Sequence, residues 1–158
     1  MNGQLKLARA EEAPAVQKES HDVTSDHQKS HDVTSSVPRS ITSIIADLSK
    51  PVAARHLKTR RQGGADLTYL PWHTAVKYLD LFAPGWTNEI RSITQVGENL
   101  VMVVRITVPC AEGEVWREAS ALEPIKGTGF GDAATNCESA ALRRAAAKLG
   151  LALYLYDK

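Results

Sequence analysis

Three extended runs in close succession set the tightest limit on how this chain can fold. Thr87 to Val96, Leu100 to Val108 and Glu114 to Leu122 are rich in β-branched residues, and only Gly97-Glu98-Asn99 and the segment 109–113 separate them. Connections that short cannot carry a crossover, so the three strands must form an antiparallel meander. Helical patterns lie on both sides. Ser40 or Thr42 can cap a short helix through about Leu48, with Ile41, Ile44, Ile45 and Leu48 on one face, and Pro51 ends it. Pro71 suits the first turn of a second helix through about Phe82, stopped by Pro84-Gly85. A third begins after Asp132, a good N-cap, with Thr135 and Glu138 as an alternative capping box. The predicted class is α+β: a β-β-β-α core whose three-stranded antiparallel sheet packs on helices, in the overall order α-β-β-β-α.

The 158 residues have room for one domain of ordinary size. Order should begin near Ser40, giving a disordered polar tail over 1–39 and a folded domain over 40–158. Within the tail, Ser-His-Asp-Val-Thr-Ser occurs at 20–25 and again at 30–35. This repeat has no aromatic residue and too little apolar surface to offset its ordering entropy. Its histidines suit a metal or a pH switch less well than a small duplication in a linker.

Composition excludes several classes of function. No apolar run approaches the ~20 residues of a membrane span, so no membrane association is expected. Glu11 and Glu12 stand where a secretory leader would be apolar. Cys110 and Cys137 are unpaired and lack a histidine at metal-ligand spacing, which suits a reduced compartment and predicts no metal site. The expected location is the cytoplasm, at the nucleoid, with an organelle as the alternative. No nucleophile–base constellation is recognisable; His73 has no evident partner, so no enzyme activity is expected. The run Gly127-Thr128-Gly129-Phe130-Gly131-Asp132 lacks the third glycine of a dinucleotide fingerprint and the Gly-Lys-Ser/Thr of a phosphate loop. It reads as a turn into the last helix, and no cofactor is predicted.

The net charge of +1 hides an uneven distribution: residues 41–66 carry five Lys/Arg against two acids, while both flanking regions are slightly acidic. Arg55, Lys58, Arg60 and Arg61 precede Tyr69 and Trp72, so cations and ring faces alternate, the combination that single-strand binding uses. On the last helix Leu142, Ala145, Ala146 and Leu149 share one face, with Arg143, Arg144 and Lys148 opposite. Each pattern also fits a bland alternative: a solvated loop with core aromatics, and a solvated cationic helix face.

Two segments resemble the Rad52 family of single-strand annealing proteins, particularly its bacterial and plant-organellar types. The first is Tyr69-Leu70-Pro71-Trp72-His73 with Ala83-Pro84-Gly85-Trp86 and Glu89-Ile90-Arg91-Ser92-Ile93. The second is Gly129-Phe130-Gly131-Asp132, Glu138-Ser139-Ala140-Ala141-Leu142-Arg143-Arg144-Ala145 and the stretch from Lys148 to Tyr156. The resemblance spans about 40–158. It implies a β-β-β-α core, assembly into a homo-oligomeric ring, single-stranded DNA in a basic groove and ATP-independent annealing of complementary strands in recombination and double-strand break repair.

Arg143 and Arg144 match the family's adjacent basic pair. Ala147 stands where a further basic residue often follows, and Lys148 lies one position on. The basic residue before the family's glycine-rich loop corresponds to Arg60 or Arg61. The candidate DNA contacts are therefore Arg143, Arg144, Lys148, Arg60, Arg61, Lys58, Arg55 and Tyr69. A single-strand-binding protein or a recombinase is the candidate protein partner. No counterpart is expected of the eukaryotic extension that recruits them, so mediator function is not implied. The alternative reading is a double-stranded RNA-binding module, which shares the α-β-β-β-α order but places its cations at the N-terminus of the last helix.

Overall fold

The computed structural model describes residues 38–126 and 131–157. The repeated hexapeptide and the glycine run 127–130 lie outside them. Ser40 caps helix α1 (Ile41–Leu48), its hydroxyl accepting from the Ser43 amide at 3.2 Å. Ile44 and Leu48 are buried, as the 3.6-residue period requires. Helix α2 (Trp72–Phe82) follows Pro71, which holds the N-cap position and not the first helical turn.

The central sheet has the order β3-β4-β5, with β3 at Thr87–Val96, β4 at Asn99–Cys110 and β5 at Gly113–Pro124. Both pairings are antiparallel, so the expected meander is present; β4 begins one residue before Leu100 and runs two beyond Val108, and β5 begins one before Glu114 and runs two beyond Leu122. Along β4, Met102, Val104, Ile106 and Val108 are buried on one face, whereas Val101, Val103, Arg105 and Thr107 are half-buried on the other. Helix α3 (Ala133–Ala147) lies across the buried face, chiefly over β4 and β5. Ala141, Ala145 and Ala146 let its backbone approach the strands closely, and Leu142 and Leu149 complete that face. Asp132 caps α3 as its sequence predicts, its carboxylate accepting from the Thr135 amide at 2.8 Å. That hydrogen bond, with a second from the Thr135 hydroxyl, holds the Asp132 carboxyl below its ordinary pKa.

Cys137 is fully buried, and its thiol donates to the Ala121 carbonyl at 3.3 Å. Burial pushes that thiol above its ordinary pKa, so it serves packing and not nucleophilic chemistry. Arg39 ties the start of the domain together. Its guanidinium pairs with Asp47 and donates to the Phe82 carbonyl, linking α1 to the end of α2.

Two features depart from the sequence reading. The basic segment around Gly63-Gly64 is a β-hairpin and not a solvated loop. Strand β1 (Lys58–Gln62) pairs with β2 (Ala65–Tyr69), and both glycines have positive φ, +58° and +84°. Two consecutive residues in that region are what a two-residue hairpin turn demands. The other departure is in β3, where the register shifts between Ile90 and Ser92. The bulge at Arg91 puts Ile90 and Ile93 on the same face of the sheet, opposite the buried Val104 and Met102. Helix α3 packs chiefly on β4 and β5, and every residue of β3 is exposed.

Candidate nucleic-acid interface

The hairpin decides which of its cations faces the helix. Side chains alternate along a strand, so Lys58, Arg60, Leu67 and Tyr69 share one hairpin face, while Thr59, Arg61, Asp66 and Thr68 share the other. Tyr69 stands on the face with Arg60. The Arg60 guanidinium lies 5.4 Å from the centre of its ring. From α3, the Arg143 guanidinium lies 5.6 Å from the same ring. Tyr69 thus brings together two arginines that are more than eighty residues apart in sequence, through contacts of cation–π type.

These three residues line a groove of about 550 Å³, joined by Arg144 from α3, Leu67 from the hairpin and Leu70 just after it, Leu122 and Glu123 from β5, and Leu155 and Tyr156 beyond α3. Glu123 is the single carboxylate among those lining residues. Among the described residues no carboxylate lies within 4.0 Å of Arg60, Arg143 or Arg144. Burial pulls the Arg143 guanidinium below its ordinary pKa, and the like charges of Arg60 and Arg144 add to that shift. An arginine so placed remains a cation at neutral pH. Three cations converge here with no carboxylate paired to them, one of them partly desolvated, an arrangement with the chemistry to hold a polyanion.

Arg144 also has a second contact, and the remaining candidates lie outside the groove. Arg144 donates to the Ser120 carbonyl at 2.9 Å, and Lys148 donates to the Glu118 carbonyl, so both also fasten α3 to the outer edge of β5. Lys148 lines an adjoining depression with Arg144, Ala147 and Tyr156 and does not line the main groove. Arg55 sits on the short 3-10 turn Ala54–His56, exposed and hydrogen-bonded to His56 at 3.2 Å. Lys58 and Arg61 are exposed on the hairpin but are not part of the groove lining. Ala147, which stands where family members often carry a further basic residue, is buried.

Sequence reasoning missed Tyr156 and the acidic Glu123. Tyr156 reaches the groove because the chain reverses after α3. Gly150 has φ of +99° and Ala152 occupies the left-handed region at +52°, which folds the 3-10 turn Leu153–Tyr156 back toward Arg143. The small residues Gly150 and Ala152, on either side of Leu151, were the available signal.

The family model described as "Rad52/22 family double-strand break repair protein" matches residues 40–158. Among curated relatives, the mitochondrial DNA repair RAD52-like protein 1 of Arabidopsis thaliana is 34% identical over 126 residues, covering 78% of this chain and 72% of the relative. The chloroplastic DNA repair RAD52-like protein 2 of the same plant is 31% identical over 128 residues, 78% of this chain and 64% of the relative. The matched residues include the whole sheet, α3 and every residue of the groove. This chain belongs to the Rad52/22 family of double-strand break repair proteins.

Proposed function

We propose that this chain binds single-stranded DNA along the groove between α3 and the β1–β2 hairpin, and anneals complementary strands without ATP. The observation that carries this reading is the convergence of Arg60, Arg143 and Arg144 beside Tyr69 with one carboxylate among the lining residues. Phosphate contacts of this kind hold a strand without reading its sequence. The bases then stay available to a second strand, as annealing requires.

Assembly into a ring is part of the proposal. Strand β3 is an edge with all its residues exposed, and Ile90 and Ile93 extend the core face of the sheet past the cover of α3. An edge strand with an uncovered apolar face is completed by a neighbouring copy. A ring also repeats the groove, which raises the local concentration of complementary bases. The work would take place at the nucleoid or, as for the two plant relatives, in an organelle that has its own DNA. The double-stranded RNA alternative fits less well, because the N-terminus of α3 carries Asp132 and its cations lie in the second half.

Light scattering should find an oligomer of many copies at micromolar concentration, and anisotropy should find tighter binding to a single strand than to a duplex of the same sequence. A monomer with duplex preference contradicts the proposal. The hairpin alternation adds a sharper expectation. Arg60→Ala should weaken single-strand binding by roughly tenfold, the worth of a charge-assisted hydrogen bond to phosphate. Arg61→Ala, on the opposite hairpin face, should weaken it far less. Equal losses would mean that the hairpin is held by the DNA in some other orientation.

A further inference from the structure

The groove contains two tyrosines, and they are differently placed. The ring of Tyr69 is engaged by two guanidiniums, those of Arg60 and Arg143. Tyr156, at the end of the 3-10 turn Leu153–Tyr156, is 52% exposed. Among the described residues its ring makes no aromatic or cation–π contact. It lines the main groove and also the depression formed by Ser120, Arg144 and Lys148. Tyr156 and Arg143 line the same groove.

We infer that Tyr156 is the base-stacking wall of the groove: it takes the face of a nucleobase in a single strand whose phosphates lie on Arg143 and Arg144. This rests on the single-strand reading proposed above. A polyanion drawn into the groove places its phosphates on the guanidiniums, leaving the apolar lining, Leu122, Leu155 and the Tyr156 ring, to meet the rest of the nucleotide. Of these only Tyr156 offers a π face, and it lines both this groove, with Arg143 and Arg144, and the adjoining depression, with Arg144. Stacking accepts any base, because every base has such a face. It also leaves the Watson–Crick edge open, so the held base can still pair with an incoming strand. Tyr156 reaches this place by the left-handed turn at Gly150 and Ala152, thirteen residues beyond Arg143.

The test compares a base-bearing oligonucleotide with an abasic phosphodeoxyribose strand of the same length. Tyr156→Ala should weaken binding to the base-bearing strand by roughly tenfold and leave binding to the abasic strand unchanged. Tyr156→Trp should tighten binding to the base-bearing strand alone, with its indole fluorescence quenched on binding. Arg143→Ala should weaken binding to both strands. An equal Tyr156→Ala loss on both strands, no loss on either, or a change in particle size by light scattering would each overturn the stacking role. If Arg143→Ala also has no effect on either strand, the groove itself is misassigned. A loss with Arg143→Ala alone sinks only the role of Tyr156.

Discussion

Replacing Arg143 and Arg144 together with alanine should abolish most single-strand affinity while leaving the domain folded. Each guanidinium that meets a phosphate contributes a charge-assisted hydrogen bond, so the pair is worth roughly a hundredfold in affinity. The loss should be the same on every sequence. On single strands the slope of log affinity against log salt should shrink by about 0.7 for each lost contact, about 1.4 per binding unit. The cost to stability should be small. Arg144 gives up one bond to the Ser120 carbonyl, worth about 1 kcal/mol. Arg143 gives up its contact with Tyr69, worth about 1–2 kcal/mol where the guanidinium is partly desolvated. Circular dichroism and urea unfolding separate this outcome from misfolding. A folded double variant with an unchanged salt slope would make these arginines fasteners of α3 and nothing more.

Gly150→Ala should have the largest effect on stability. A Cβ there would lie 2.2 Å from the Ser49 hydroxyl oxygen and 3.3 Å from the backbone carbonyl of Ile45. The hydroxyl can rotate away, but the carbonyl belongs to the last turn of α1. The φ of +99° is also strained for any residue with a side chain. Steric and backbone terms together suggest about 2–4 kcal/mol. For a domain of this size that lowers the melting temperature by more than about 5 °C. Because Leu151, Ala152, Leu155 and Tyr156 line the groove, DNA binding should weaken as well. Adding Ser49→Ala removes the closest contact and should restore part of the stability, though not the backbone strain. Unchanged unfolding for Gly150→Ala would mean that the chain after α3 does not cross α1 in this way.

Local chemistry made much of the fold legible. Ser40 and Asp132 cap their helices, the three β-branched runs pair in order, and the apolar spacing of α3 gives its buried face. These features depend on residues near one another in sequence. The hairpin was hidden because Lys58-Thr59-Arg60-Arg61 has no apolar alternation and forms a strand through its Gly63-Gly64 turn. That turn also sets which of Arg60 and Arg61 shares a face with Tyr69, which adjacent positions in a sequence cannot do. The bulge at Arg91 is invisible to a simple two-residue period, yet it aligns Ile90 with Ile93. The groove was legible only in pieces. Arg143, Arg144, Arg60 and Tyr69 each stood out, but their meeting depends on packing between segments far apart in the chain. Tyr156 was beyond local reasoning, since its position follows from the left-handed conformations at Gly150 and Ala152.

The most direct measurement is the rate at which two complementary labelled oligonucleotides pair when mixed with the protein in the absence of any nucleotide. The wild-type protein should accelerate pairing well above the protein-free rate, and the Arg143→Ala/Arg144→Ala variant, folded and of unchanged particle size, should fall back close to it. No acceleration by the wild-type protein, or equal acceleration by the folded variant, would contradict annealing in this groove.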